Sequence, residues 1–205
     1  MLAISTATKK AMIAIKAKDV EVFSSLDADC RQSEAMMQEI HNLLTKNNLT
    51  LADVGNFGLV TGPGSFTGLR IGAALVKGFC AGLKGRKVAI MPTLELMAKQ
   101  VIKEASPKTN FTCYMNAQSG LYYSATFNKA GEKIVDEHLV PTMDILKGKE
   151  EKFCLAEENF ISFGVTITPQ TLLEFALQQE EKKNMVEGKD VSVKYIRRSA
   201  AEEKI

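Results

Sequence analysis

Histidine is nearly missing from this 205-residue chain, which has only His41 and His138. Two are too few for a His-rich metal site. Neither stands in a His-Glu-x-x-His spacing or a plausible Ser-His-Asp order, so hydrolytic catalysis has no visible apparatus. The four cysteines, Cys30, Cys80, Cys113 and Cys154, are scattered without a Cys-x-x-Cys pair, which fits a reduced, cytoplasmic setting. No charge of one sign dominates, because 26 basic and 24 acidic side chains leave a formal charge of +2. No global field then draws the chain to nucleic acid or to an anionic membrane, and any RNA contact has to be local. Apolar runs fall far short of the ~20 residues of a membrane span, and Met1 to Thr6 turns polar too soon for a signal-peptide core. The expectation is a chain neither exported nor membrane-embedded, without DNA as a partner.

A hydrophobic content of 45% over this length is enough for a substantial core, in one compact domain or two small ones. Three strand-like segments open the chain as an antiparallel meander: Leu2 to Thr6, Met12 to Ile15 and Val20 to Phe23. Asp29 with Gln32 resembles a capping box, and Met36, Met37, Ile40, Leu43 and Leu44 recur at helical spacing through Lys46. Asn56 to Thr61 predicts a fourth strand, Thr67 to Leu83 a helix and Lys87 to Met91 a fifth strand, before Pro92 opens another helix. After Ser106-Pro107 the order begins again. Phe111 to Asn116, Leu121 to Phe127 and Lys133 to Val140 predict three strands, followed by a short helix near Met143 to Lys147, a strand at Phe153 to Ala156 and a closing helix at Pro169 to Lys182.

The expected fold class is therefore α/β: two tandem βββαβα, ribonuclease-H-like lobes of the actin, Hsp70 and sugar-kinase (ASKHA) type, the second lobe reduced. The expected division is a first lobe over residues 1–106 and a smaller one with a polar tail over 107–205. A two-lobed ATPase of this type needs acids at the end of the first strand of each lobe to hold magnesium and orient water. At those places stand Ser5 and Asn116, both uncharged. Metal-assisted hydrolysis looks disabled, and no metal, cofactor or catalytic residue is expected.

Gly62-Pro63-Gly64-Ser65-Phe66-Thr67-Gly68-Leu69-Arg70-Ile71-Gly72 describes a strand end, a glycine turn and a helix start in eleven residues. Ser65 or Thr67 can cap the helix. The spacing is not that of a Walker A loop, and no lysine follows the last glycine. Two readings stand: an anion received by Ser65, Phe66 and Thr67 at the helix N-terminus, or a turn and cap that only aim the helix. On that helix Leu69, Ile71, Leu75, Val76, Phe79 and Leu83 need a surface to bury against, while Gly68, Gly72, Ala73, Gly78 and Ala81 leave room for another backbone. That second cover is either the Met36-Met37 helix or a helix of a partner chain. Met36 and Met37 are adaptable side chains, suited to a core or to a binding surface. Arg70, Lys77, Lys84, Arg86 and Lys87 form a modest basic cluster, a solvated face or a local contact to RNA.

The GPGSFTGLRIG run at Gly62 to Gly72, with Ala52-Asp53-Val54 and Arg31-Gln32-Ser33-Glu34 before it, closely resembles the TsaB proteins, also called YeaZ. Met1 to Thr6, Met91-Pro92-Thr93-Leu94 and Tyr195-Ile196-Arg197 match the same pattern, so the resemblance covers Met1 to about Gln100 well and the remainder loosely. It implies a noncatalytic scaffold or activator that pairs with its paralogue TsaD, which holds the metal and performs the transfer. With the small ATPase TsaE, the complex attaches a threonylcarbamoyl group to the adenosine beside the anticodon of tRNAs reading ANN codons. The resemblance places the partner interface on the first-lobe helices, at Met36, Met37, Ile40, Leu44, Gly68, Gly72, Leu75, Val76 and Phe79. It implies a homodimer through that surface when the chain is alone, and only indirect contact with tRNA.

The chain departs from the family where the usual Ile-Asp-Thr-Ser is Ile4-Ser5-Thr6-Ala7, where Arg-x-His-Ser is Arg31-Gln32-Ser33, and where Asp-Ala-Arg is Asn116-Ala117-Gln118. Each change removes a charged or titratable group. The alternative from the enzyme class is a small ATP-binding kinase or ATPase of the same fold. A peptidase, the activity historically attached to related sequences, lacks a nucleophile or metal cluster here.

Overall fold

The computed structural model describes residues 1–27, 32–145, 147, 150–158 and 163–197, with 32 and 33 described through their backbone alone. The Asp29 cap, Cys30 and Arg31 lie outside the described residues.

The opening meander forms where strand-like composition predicts it. β1 (Leu2–Ser5) pairs antiparallel with β2 (Lys10–Ala17), and β2 with β3 (Val20–Asp27). β2 and β3 run longer than their apolar stretches, because the ladder carries on through residues whose side chains reach water or polar partners. Lys16 pairs with Glu21 across the strands at 3.2 Å, and the Ser24 hydroxyl donates to Glu39 at 2.7 Å. β4 (Phe57–Gly62) lies parallel to β1, and β5 (Lys87–Pro92) parallel to β4. A three-residue strand, Met185–Glu187 (β11), closes the edge antiparallel to β5. The approach to β4 is a 3-10 turn, Leu51–Asp53. There Asp53 accepts from the Thr50 amide at 2.8 Å and pairs with Lys18 at 2.6 Å, and these bonds, Lys18 foremost, hold its carboxyl down at about 2.

Successive β4 residues face opposite sides, as a pleated strand requires. Leu59 meets α2 (Phe66–Gly82), whereas a Cβ on Gly58 would lie 2.9 Å from Ala176 of α5 (Pro169–Glu181). One side of the sheet is covered by α1 (Gln32–Lys46) and α2. Met36, Ile40 and Leu44 of α1 join Val76 and Phe79 of α2 and Leu2, Ile4, Ile13 and Ile15 of the sheet in one core. The other side is covered by α5, which starts at the Thr168 cap with Pro169 in its first turn and packs on β1, β2 and β5.

The second unit repeats the topology. Its sheet runs β10 (Gly164–Val165), β9 (Glu151–Leu155), β6 (Phe111–Asn116), β7 (Leu121–Phe127) and β8 (Lys133–Pro141). The central strand comes first in sequence, its two hairpin partners lie to one side and two parallel strands to the other, as in the first sheet. α3 (Thr93–Ala105) lays Leu94, Met97, Ala98 and Val101 against Phe111, Cys113, Phe127 and Phe153. Where the first unit has the 15-residue α1, the second has the four-residue α4 (Thr142–Ile145). Between β9 and β10 the described residues hold a 3-10 turn, Ala156–Glu158, in place of a helix like α2. Lys133 on β8 bridges Glu95 of α3 at 3.1 Å, Asp136 at 3.1 Å and Glu137 at 3.3 Å, and Lys194 reaches Glu137 at 2.7 Å. Burial disfavours a charged Lys133, but hydrogen bonds to Glu95 and Asp136 outweigh it and raise its pKa above the ordinary lysine value.

Both lobes are thus ribonuclease-H-like, and the second is the reduced one. The compact units exchange helices across the 106/107 division expected from the sequence. The first comprises Met1–Pro92 with Thr168–Val193, and the second Thr93–Ile167 with the chain from Lys194. The cause is packing: α3 follows β5 in sequence yet buries its apolar stripe on the second sheet, while α5 returns to fill the open face of the first.

Candidate functional site

The glycine run begins where β4 ends. Gly62 has φ 116, which a side chain rarely tolerates, and the Gly62–Pro63 peptide is cis. Ser65 is the cap of α2, its hydroxyl accepting from the Gly68 amide at 3.2 Å. The Ser65 amide itself donates to the Ala7 carbonyl at 2.8 Å, which ties the run to the turn after β1. Gly64, Gly68 and Gly72, four residues apart, all face that turn. A Cβ on Gly64 would fall on the Ala7 carbonyl oxygen, and one on Gly68 on the Thr6 carbonyl oxygen. At Gly72 a Cβ would lie 2.5 Å from the Thr6 hydroxyl oxygen and 3.0 Å from Leu59.

The space those glycines open is therefore filled by their own chain, at Ser5-Thr6-Ala7. Thr6 is fully buried, and its hydroxyl has no hydrogen-bond partner among the described residues. The amides of Ser65 and Gly68 are engaged within the fold, and the Arg70 guanidinium stacks 4.0 Å over the Phe66 ring. The geometry favours the turn-and-cap reading of Gly62, Pro63, Gly64, Ser65, Phe66 and Thr67 over the anion cradle.

Ser5 and Asn116 occupy equivalent places, each the last residue of its sheet's central strand. Ser5 is buried. Asn116 is exposed, its side-chain oxygen accepting from the Gln118 amide at 2.6 Å. The Asn116 amide donates to Glu158 at 2.9 Å, so a carboxylate does stand at the end of β6, brought from a 3-10 turn 42 residues away. Sequence reasoning missed Glu158 because no local pattern links it to β6. Among the described residues no group of three or more His, Cys, Asp and Glu side chains is arranged to hold a metal ion.

The residues assigned to a partner interface divide sharply. Met36, Ile40, Leu44, Val76 and Phe79 are buried in the first unit's core, and Gly68 and Gly72 are buried against Thr6 in the turn after β1. Leu75 is partly buried against that core, and Met37, 46% exposed, points out. Of the two covers left open for α2, the structure has α1 of the same chain. The backbone kept close by Gly68 and Gly72 is likewise the chain's own, which corrects the expectation that these glycines open α2 to another helix. The face of α2 that remains exposed is instead Thr67, Arg70, Ala74, Lys77, Gly78 and Ala81, a single stripe at helical spacing.

His41 and His138 are exposed. Cys113 and Cys154 are buried free thiols, and burial pushes the Cys113 pKa well up. Burial, with Glu150 beside it, pushes the Tyr114 hydroxyl to about 12.

Residues 27–194 match the family model described as TsaD: tRNA N6-adenosine threonylcarbamoyltransferase. The chain is 33% identical over 79 residues to a protein of Buchnera aphidicola subsp. Baizongia pistaciae named tRNA threonylcarbamoyladenosine biosynthesis protein TsaB, covering 38% of this chain and 36% of that one. The protein of the same name from Escherichia coli K12 is 27% identical over 130 residues, 63% of this chain and 55% of that protein. The chain thus spans about half or less of the length of these curated relatives. A crystal structure described as an uncharacterized protein with similarity to peptidase YEAZ from Pseudomonas aeruginosa superposes with a TM-score of 0.80, over 96% of this chain and 98% of that one. At 18% identity this likeness speaks for the fold alone. With the family model covering most of the chain, the chain belongs to the family it describes, and the curated relatives it matches are named as TsaB proteins.

Proposed function

We propose that this chain is a noncatalytic subunit that pairs with a TsaD-like paralogue in the addition of the threonylcarbamoyl group to the adenosine next to the anticodon of ANN-reading tRNAs. A TsaE-like ATPase joins through the complex, and the chain alone forms a homodimer. The names of its relatives supply the pathway, and one observation carries the supporting role: the end of β1 bears buried Ser5 in place of an acid, and the glycine run above it is packed shut by Thr6 and Ala7. Phosphoryl chemistry needs charge neutralisation and open backbone amides at that place. A packing role needs neither.

The pairing surface on this reading is the outward side of α1 and α2, with Met37 and the Ala74, Gly78 and Ala81 stripe at its centre. Small side chains let a second helix approach closely, and Met37 adapts to what it meets. The test is coexpression with the TsaD paralogue of the same organism, followed by copurification and tRNA modification in vitro. Met37→Asp and Ala74→Trp should each break the complex and leave the chain folded, because both positions face solvent. Gly72→Trp and Ile40→Arg would unfold it, since both positions lie in the core. A chain that neither copurifies with the paralogue nor stimulates modification overturns the proposal.

A further inference from the structure

We infer that a basic cavity at the C-terminal end of α2 holds the phosphate backbone of RNA. The cavity, about 420 Å³, is lined by Lys77 of α2, by Lys84 and Arg86 just beyond the helix, and by Lys189 from the 3-10 turn Gly188–Asp190. Gly188 makes this convergence possible: a Cβ there would fall on the Cβ of Cys80, so only glycine lets the turn lie against α2 and deliver Lys189 to the same opening. Glu187 is the one acid in the lining, and its carboxylate lies 4.0 Å from Lys87. Lys77, Lys84 and Lys189 enter no ion pair among the described residues. Arg86 donates one N–H to the Ala52 carbonyl at 3.1 Å, and its Nε is buried without an acceptor among the described residues.

A purely structural account falls short of this arrangement. The negative pole of a helix favours a cation in or just after the last turn, which accounts for Lys84. It does not account for Lys189, which arrives from a distant segment and adds repulsion among like charges. The lining also selects among anions. It contains no aromatic ring on which a nucleobase could stack, and none of the exposed large apolar side chains, Met37, Ile134, Val135, Met143, Phe163 and Tyr195, belongs to it. Lysines around the rim of an open cavity suit phosphodiester groups, which such contacts position without reading sequence. RNA is the source chosen because the inference rests on the tRNA-modifying role proposed above.

The test is fluorescence anisotropy of a labelled ANN-reading tRNA transcript with the full chain, from about 50 to 200 mM salt, the range over which phosphate contacts reveal themselves. The K84E/K189E pair should bind about tenfold more weakly at the low end, and its slope of log affinity against log salt should fall by about two. K84Q/K189Q should lie between it and the wild type. K108E/K129E, an equal charge change at exposed positions of the second unit, should leave affinity within about twofold. All four lysines face solvent, so thermal melts should coincide. No measurable wild-type binding at low salt overturns the inference, as does an equal loss in the control pair. Binding of ATP or of anionic phospholipid vesicles with RNA left unbound overturns it too. Copurification with the paralogue, run on the same proteins, separates the two claims. Intact pairing with unchanged RNA affinity sinks the cavity alone, and failed pairing with the K84E/K189E effect present sinks the proposed subunit role alone.

Discussion

One methyl group distinguishes two kinds of glycine on α2. At Gly68 a Cβ would strike the Thr6 carbonyl oxygen, a backbone atom held in place by β1, while at Gly78, exposed on the same helix, it would meet nothing within 4 Å. Gly68→Ala should therefore destabilise the chain by about 2–3 kcal/mol through overpacking against a backbone that has nowhere to move. Gly78→Ala should stabilise it by about 0.5–1 kcal/mol, because alanine loses less conformational entropy in a helix. Urea unfolding of the two variants reads both signs. Equal effects would mean that α2 does not lie against the end of β1 as closely as the structure has it. The glycines were visible in the sequence, and so was their four-residue spacing. What they faced was not, because Thr6 and Ala7 belong to a segment some sixty residues earlier and no periodicity on α2 names its neighbour.

At the scale of elements, most strands and helices were legible because the central strands are short, almost wholly buried apolar runs and each long helix keeps an apolar stripe. β6 and β7 fall on their expected residues. Met185–Glu187 and Gly164–Val165 escaped because strands of three and two residues are too short for any period to register. The helix exchange escaped for a different reason: an apolar stripe states that a helix must be covered, not by which sheet. Leu94, Met97, Ala98 and Val101 satisfy that need on the second sheet, and Leu172, Leu173, Phe175 and Ala176 of α5 are buried though the first sheet lies far back in the chain. A fragment of residues 1–106, cut where the sequence suggests a boundary, keeps α3 without its sheet and loses α5 from the face carrying Ala3, Gly58 and Met91. It should give no cooperative thermal transition and should bind ANS. Adding residues 168–193 through a flexible linker should restore cooperativity. A fragment that melts sharply without them would show that α5 is dispensable to the first unit.

At the scale of the whole molecule, one topology appears twice with different losses. The first unit keeps both helices on one face of its sheet, and its central strand ends in Ser5 rather than an acid. The second keeps a one-turn α4 there, and Glu158 reaches the end of its central strand. A kinase or ATPase of this fold would need charge at the end of β1 and free amides in the glycine run, and in this chain a serine and a closed turn stand there. Titrating Mg-ATP into the chain should accordingly give no saturable heat. Restoring the acid alone by Ser5→Asp should not create a site, since the Ser65 amide still bonds Ala7 and the space beside Gly68 is still filled by Thr6. It should instead cost stability by burying a carboxylate without a cation. Micromolar binding of Mg-ATP by the wild type would overturn the noncatalytic reading and favour the kinase. Binding gained only in the Ser5→Asp variant would show that the closed turn opens readily and that the missing charge alone had silenced the site.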